Sequence, residues 1–356
     1  MRVLMITQKV DRDDDVLGYV HGWIERLAAR LERLHVLALW VGPHALPANV
    51  TVYSMGKEKG ASRPARLARL AQVTGSLARH RQVDLIFAHQ CPRYAIMAAP
   101  FGKVFGLPLV MFYAHKQVDL ELRLAHRLVD RVATSVPGGF MLPSDKVSAV
   151  GQGIELKLFQ PDFCAEEEAT IVSVGRLSPI KDYETLIRSA DILRREHRLE
   201  RLKLLVVGGA TGERDEQYFD HLRRVVGQLQ LNGRVEFVGP VPHEEVSHYL
   251  HRAAVTVNLC PSGAVDKAAL EGMACGKPTV VCNRAFAPLF GAHAPHLLFD
   301  EGHPASLAER LAALLKMPVE QRRSMGLDLR AAVVAQHGVE GLADNLVRVF
   351  HDAAGR

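Results

Sequence analysis

Cysteine is scarce in this chain. The five present, Cys91, Cys164, Cys260, Cys275 and Cys282, are odd in number and never spaced C-x-x-C, which argues against a disulfide framework and a cysteine zinc site. No apolar run approaches the ~18 to 20 residues that a membrane-spanning helix needs. The opening MRVLMITQKVDRDDD sets a short apolar stretch directly before acids, unlike a secretory signal, so a cytoplasmic, reduced protein is expected. Charge of one sign is also lacking. Forty-four Lys and Arg against 39 Asp and Glu leave +5, too little and too dispersed to indicate nucleic acid. That balance suits phosphorylated ligands or a peripheral contact with an anionic membrane. The G-x-G-x-x-G turn is missing after the first strand of either half, which disfavours a nicotinamide dehydrogenase. None of the 17 histidines stands in a spacing such as H-E-x-x-H. Asp11, Asp13, Asp14 and Asp15 could in principle hold a metal but read as a solvated cluster, so no metal site is expected.

What is present is alternation. Its 356 residues suit two domains at roughly 150 residues each. Short apolar runs at 3–7, 36–41, 50–55, 84–88, 108–113, 131–135 and 147–151 read as strands, with helices such as 19–34 and 65–79 between them. The acidic stretch PDFCAEEEAT then reads as a linker, and the pattern restarts with strands at 170–174, 202–207, 235–238, 255–259, 279–282 and 297–299. Helices are expected to begin near Asp182, Asp215, His243 and Asp266, and from about Ala305 the chain is expected to be helical. The fold class is therefore α/β, with two tandem Rossmann-like, doubly wound domains facing a cleft. The first covers 1–160 with a final helix, about 338–356, packing back on it; the second covers 161–337. Open parallel sheets bind ligands beyond the carboxyl ends of their strands, so the loops after strands are where chemistry is sought.

Three such loops stand out. Gly18 lies where a helix begins and would let backbone N–H groups approach an anion, although easing a loop into a helix explains it as well. Strand 170–174 runs into Gly175-Arg176-Leu177-Ser178-Pro179-Ile180-Lys181-Asp182, where a guanidinium and an ammonium five residues apart suit a diphosphate and Asp182 reads as an N-cap. The segment NLCPSGAVDKAALEGMACGKPTVVCN from Asn258 to Asn283 places an anion-ready helix start near Ala264–Ala268. Glu271 lies one turn beyond Lys267 on that helix.

The GRLSPIKD, ALEGMACGKPTVV and GQGIELKLFQP stretches, the last at Gly151–Pro161, together resemble glycosyltransferase family 4. These are retaining, nucleotide-sugar-dependent enzymes of the glycosyltransferase B fold. The resemblance implies transfer of a sugar from a nucleoside diphosphate to an acceptor hydroxyl, on a glycan, a lipid-linked molecule or a small molecule, with no cofactor beyond the donor substrate. It assigns Arg176 and Lys181 to the donor diphosphate and Glu271 to the nucleotide ribose. The loop Gly239–Pro242, with Val241, is assigned to the base, Gly208 to the inner end of its strand, Gly18 to the phosphates and His115 to the reacting sugar. Gly175, Gly263, Ala264, Val265 and Lys267 complete the expected donor contacts; His89 and Lys9 are candidates for the acceptor side, although a structural role explains His89 as well.

One departure stands in the pattern. Gly263 occupies the place of a glutamate that usually contacts the donor sugar, and Asp266 replaces a glycine. Asp266, or the backbone N–H groups of Gly263 to Val265, is the expected substitute. The same departure keeps open a catalytically degenerate nucleotide-sugar binder, beside a sugar-nucleotide epimerase of the same fold. Arg63, Arg66, Arg69, Arg79 and Arg81 lie on or beside a basic amphipathic helix that could meet anionic lipid, though packing on its own sheet is the simpler reading.

Overall fold

In a computed structural model that describes residues 1–14, 17–115, 117–261 and 265–355, the chain divides into two compact units. Unit 1 is Met1–Gly153 with Val339–Arg356, and unit 2 is Ile154–Gly338. Asp15, Gly263 and Ala264, named above, lie outside the described residues.

Unit 1 contains β1 (Arg2–Val10), α1 (Tyr19–Ala28), β2 (Arg33–Val41), β3 (Val50–Ser54), α2 (Arg63–Arg79) and β4 (Leu85–His89). It continues through α3 (Pro92–Phe105), β5 (Leu109–Phe112), α4 (Leu120–Leu128), β6 (Arg131–Thr134) and β7 (Val147–Ala149). The seven strands pair in the order β3-β2-β1-β4-β5-β6-β7, parallel throughout. Continuous apolar strands such as Leu85–Ala88 are buried on both faces, as a sheet covered by helices on both sides requires. Helix α1 lies on one face and α2, α3 and α4 on the other.

Unit 2 contains β8 (Thr170–Val174), α5 (Tyr183–Arg195), β9 (Lys203–Val207), α6 (Glu213–Gln228), β10 (Val235–Gly239), α7 (Val246–Arg252), β11 (Val255–Asn258), α8 (Lys267–Ala274) and β12 (Thr279–Val281). Four helices follow: α9 (Ala287–Phe290), α10 (Ala294–Leu297), α11 (Pro304–Lys316) and α12 (Val319–His337). Its five parallel strands are ordered β10-β9-β8-β11-β12. Strand order reverses between β1 and β4 in unit 1 and between β8 and β11 in unit 2, the points where doubly wound sheets open a crevice at their carboxyl ends. The last helix, α13 (Val339–Ala353), returns to unit 1 and buries Leu342, Leu346 and Phe350 beside Trp23 and Phe87.

Four expectations change. Helix α1 stops at Ala28 instead of continuing to Leu34, because Arg33 and Leu34 are drawn into β2 to pair with Arg2 and Val3. The segment 297–299 is no strand: Leu297 closes α10, and only a single bridge joins Leu298 to Val281. The boundary between the units falls after Gly153, not at 160. Ile154 N–H donates to the His337 carbonyl at 2.7 Å, and the fully buried Phe159 packs on the His243 ring within unit 2. The acidic stretch, expected as a linker, is tied down by ion pairs within unit 2. Glu166 bridges the buried Lys277 and Arg322, each at 3.0 Å, while Glu167 binds Arg252 at 2.7 Å and Lys203 at 3.3 Å.

Candidate functional site

The richest chemistry of unit 2 lies at the reversal between β8 and β11. Beyond β8 the backbone turns at Gly175, whose carbonyl accepts the hydroxyl of the buried Tyr183 at 2.9 Å. Gly175 N–H donates to Val207 and Leu177 N–H to Gly209, both at 2.9 Å, which fixes this loop against the end of β9. Gly208 completes the turn at φ +135, and a Cβ there would stand 2.1 Å from the Gly175 carbonyl oxygen, so only glycine fits. Its N–H donates to Gly239, at φ +90, at the end of β10. Val241, partly buried, follows in the next loop.

On this frame Arg176 is exposed, and no described residue gives its side chain a hydrogen bond or ion pair. Lys181 folds inward, and its Nζ donates to Asp266 Oδ2 at 2.6 Å. Burial opposes the ammonium charge, but the Asp266 carboxylate outweighs it and raises the Lys181 pKa above its ordinary value. Asp182 sits at φ +41 and its carboxylate accepts Thr185 N–H at 3.4 Å, the N-cap expected for α5. Asp266 does two jobs. One oxygen holds Lys181, and the other accepts Ala268 N–H at 3.0 Å as the N-cap of α8. Val265, just before it, is fully buried, so its side chain belongs to the core.

Five residues along α8, about 7 to 8 Å of helix axis, comes Glu271. This carboxylate is 5% exposed and meets His243 Nε2 at 2.9 Å. His243 opens the single 3-10 turn His243–Glu245 after β10. Lys267, partly buried one turn before Glu271, has its ammonium pulled down to about 8 by desolvation, against the opposing charges of Glu271 and Glu155. In the sequence His243 is marked only as a helix start. Its partner lies 28 residues away, a distance no local pattern reveals.

Unit 1 holds the other candidates. Gly18 precedes α1 in ordinary helical conformation, but a Cβ there would lie 2.5 Å from the Asp14 carbonyl oxygen. The close approach that requires glycine is thus to the protein's own loop. Lys9 is neutralised by Asp14 and by Asp11 at 3.5 Å, and its ammonium lies 5.4 Å from the centre of the Trp40 ring. Asp11 and Asp14 are therefore ion-pair partners and not freely solvated; Asp13 remains exposed. His89 is 2% exposed, bonds Thr7 Oγ1 at 2.9 Å and lies among the Trp23 and Phe112 rings. That core position favours a structural role for His89 over a place on the acceptor side. His115 is exposed after β5, its ring 5.5 Å from that of Tyr113. No group of three or more His, Cys, Asp or Glu among the described residues could hold a metal ion, and no helix among them is long and apolar enough to cross a membrane.

Residues 157–329 match the family model of the glycosyl transferases group 1. A D-inositol 3-phosphate glycosyltransferase of Frankia alni is 33% identical over 188 residues, 49% of this chain and 46% of that protein. A GDP-Man:Man(3)GlcNAc(2)-PP-Dol alpha-1,2-mannosyltransferase of Xenopus laevis is 28% identical over 174 residues, 47% of this chain and 35% of that one. The chain spans about half the length of the first curated relatives it matches. Among solved structures, Anabaena HepE in complex with UDP superposes with a TM-score of 0.77 at 16% identity, covering 99% of this chain and 100% of that one. Sucrose-phosphate synthase of Thermosynechococcus elongatus gives 0.79 at 18% identity, covering 99% of each. These two share the fold of two parallel-sheet α/β domains. Over residues 157–329 this chain is therefore similar to the group 1 glycosyl transferases.

Proposed function

We propose that the chain is a retaining glycosyltransferase. It moves a sugar from a nucleoside-diphosphate sugar to an acceptor hydroxyl and needs no metal or other cofactor. The observation that carries this reading is the grouping of Arg176, Lys181 and the Asp266-capped start of α8 at the β8–β11 reversal of unit 2. Breaking the bond between sugar and diphosphate develops negative charge on the β-phosphate. An exposed guanidinium, an ammonium kept charged by Asp266 and the positive end of a helix dipole would stabilise that charge without reorganising. Glu271, held by His243, offers its carboxylate to the ribose hydroxyls, and His115 is the unit 1 group assigned to the sugar.

The named relatives act on inositol phosphate and on a dolichol-linked glycan, so a phosphorylated or lipid-linked acceptor is the finer reading. With it goes a cytoplasmic enzyme touching a membrane peripherally. A second reading, a nucleotide-sugar binder without turnover, is favoured by Gly263 where a donor-sugar glutamate is usual.

A panel of nucleoside diphosphates ranked by thermal shift, followed by hydrolysis of the matching nucleotide sugars, tests both. Arg176→Ala or Lys181→Ala is expected to lower kcat by about 10² or more. Stabilisation by a diphosphate with no turnover of any donor would favour the binder, and wild-type turnover by the double variant would refute the charge-stabilisation role.

A further inference from the structure

The outer helical layer of unit 1 is predominantly basic. Helices α2, α3 and α4 pack on one face of the sheet through residues such as Leu70, Leu77, Ala95, Ala98, Leu122 and Ala125. Within the three helices stand eight Lys or Arg and a single acid, Glu121, which is paired with Arg93. Lys103, Arg123 and Arg127 are exposed, and their side chains have no hydrogen-bond or ion-pair partner among the described residues.

The same layer exposes apolar side chains where a helix lying on its own sheet would be polar. Leu120, Leu124 and Leu128 succeed one another at one-turn spacing on the outer side of α4, Leu120 being 84% exposed. Val104, 74% exposed, and Phe105, 40% exposed, end α3. Between the carboxyl ends of the two helices runs a groove of about 780 Å³, lined in part by Lys103, Leu107, Arg127, Leu128 and the single acid Asp130. A leucine stripe flanked by arginines is the pattern of a helix seated at a bilayer boundary, its apolar side in the acyl region and its cations among the headgroups. A second copy of the chain would bring the same cations face to face, which disfavours self-association through this layer.

We propose that the α2–α4 face of unit 1 docks on the surface of an anionic lipid bilayer. The inference rests on the peripheral membrane contact of the proposed function and names its surface; vesicle binding and donor turnover are measured separately, so failure of one leaves the other standing. The full chain is expected to sediment with phosphatidylglycerol-containing vesicles and to stay in the supernatant with pure phosphatidylcholine vesicles. Arg123→Glu with Arg127→Glu should weaken vesicle partitioning roughly tenfold or more. Leu120→Ser with Leu124→Ser should make the remaining binding fully reversible by 0.5 M salt, and all four side chains are solvent-facing, so the melting temperature should hold. Two separate variants keep the test valid if one misfolds. Absence from both kinds of pellet would overturn the proposal. So would undiminished sedimentation of both variants, or a wild-type dimer that the leucine variant turns into a monomer.

Discussion

At the scale of single residues, one carboxylate of the site serves two partners. Asp266 caps α8 and tethers Lys181, so its replacements separate the two tasks. Asparagine keeps a capping oxygen and alanine does not. Asp266→Ala should cost about 1 kcal/mol of stability, whereas Asp266→Asn should melt close to wild type. Both should lower kcat, because Lys181 loses its anchor. Full turnover of Asp266→Asn with every donor would show that neither the tether nor a contact from this carboxylate to the sugar matters. His243 acts one step further from substrate, through Glu271. A hydrogen bond to a charged group is worth about 1.5 to 3 kcal/mol, so His243→Ala should raise the donor KM by at least about tenfold with a smaller change in kcat. The difference should shrink for a donor lacking the ribose hydroxyls. Equal effects on both donors would mean that His243 only supports the fold.

At the scale of elements, the turns after β8, β9 and β10 are one construction, since Gly175 N–H donates to Val207 and Gly208 N–H donates to Gly239. Gly208→Ala would require a strained φ, about 1 to 3 kcal/mol, and an overlap with the Gly175 carbonyl. A fall of about 5 °C or more in the melting temperature of unit 2 is expected, and an unchanged melting curve would contradict the geometry. These glycines were legible in the sequence because they follow short, β-branched strands whose bounds a local pattern marks. The helix 19–34 was misread for the opposite reason. Ala28-Ala29-Arg30-Leu31 continues a helical pattern, and only pairing with β1 ends it. Glu166 was misplaced in a linker because its partners lie 111 and 156 residues further on. His89 at a strand end looks the same in sequence whether its ring faces ligand or core; the rings of Trp23 and Phe112 decide it.

At the scale of the whole molecule, the chain crosses between its units twice, and unit 2 has buried polar groups near both crossings. Near the first, Glu166 neutralises two buried cations. Losing one partner of such a cluster is far costlier than the cluster's net worth. At the second, His337 ends α12 and its carbonyl holds Ile154. The imidazole is 2% exposed, and neither ring nitrogen has a hydrogen-bond partner among the described residues. Burial lowers its pKa from 6.5 to about 4. Below pH 6.5 the unfolded chain therefore binds a proton that the folded chain refuses, so stability falls as pH drops from about 6.5 towards 4 and is unaffected by this group above 7. The loss at pH 4.5 should be about 2 to 3 kcal/mol, a shift of roughly 5 to 10 °C for a unit of this size. Because carboxylates also titrate in this range, the readout is a difference: melting temperatures of wild type and His337→Leu between pH 7.5 and 4.5. The variant should lose less on acidification, and parallel curves would show that this ring is charged or solvated in the folded protein.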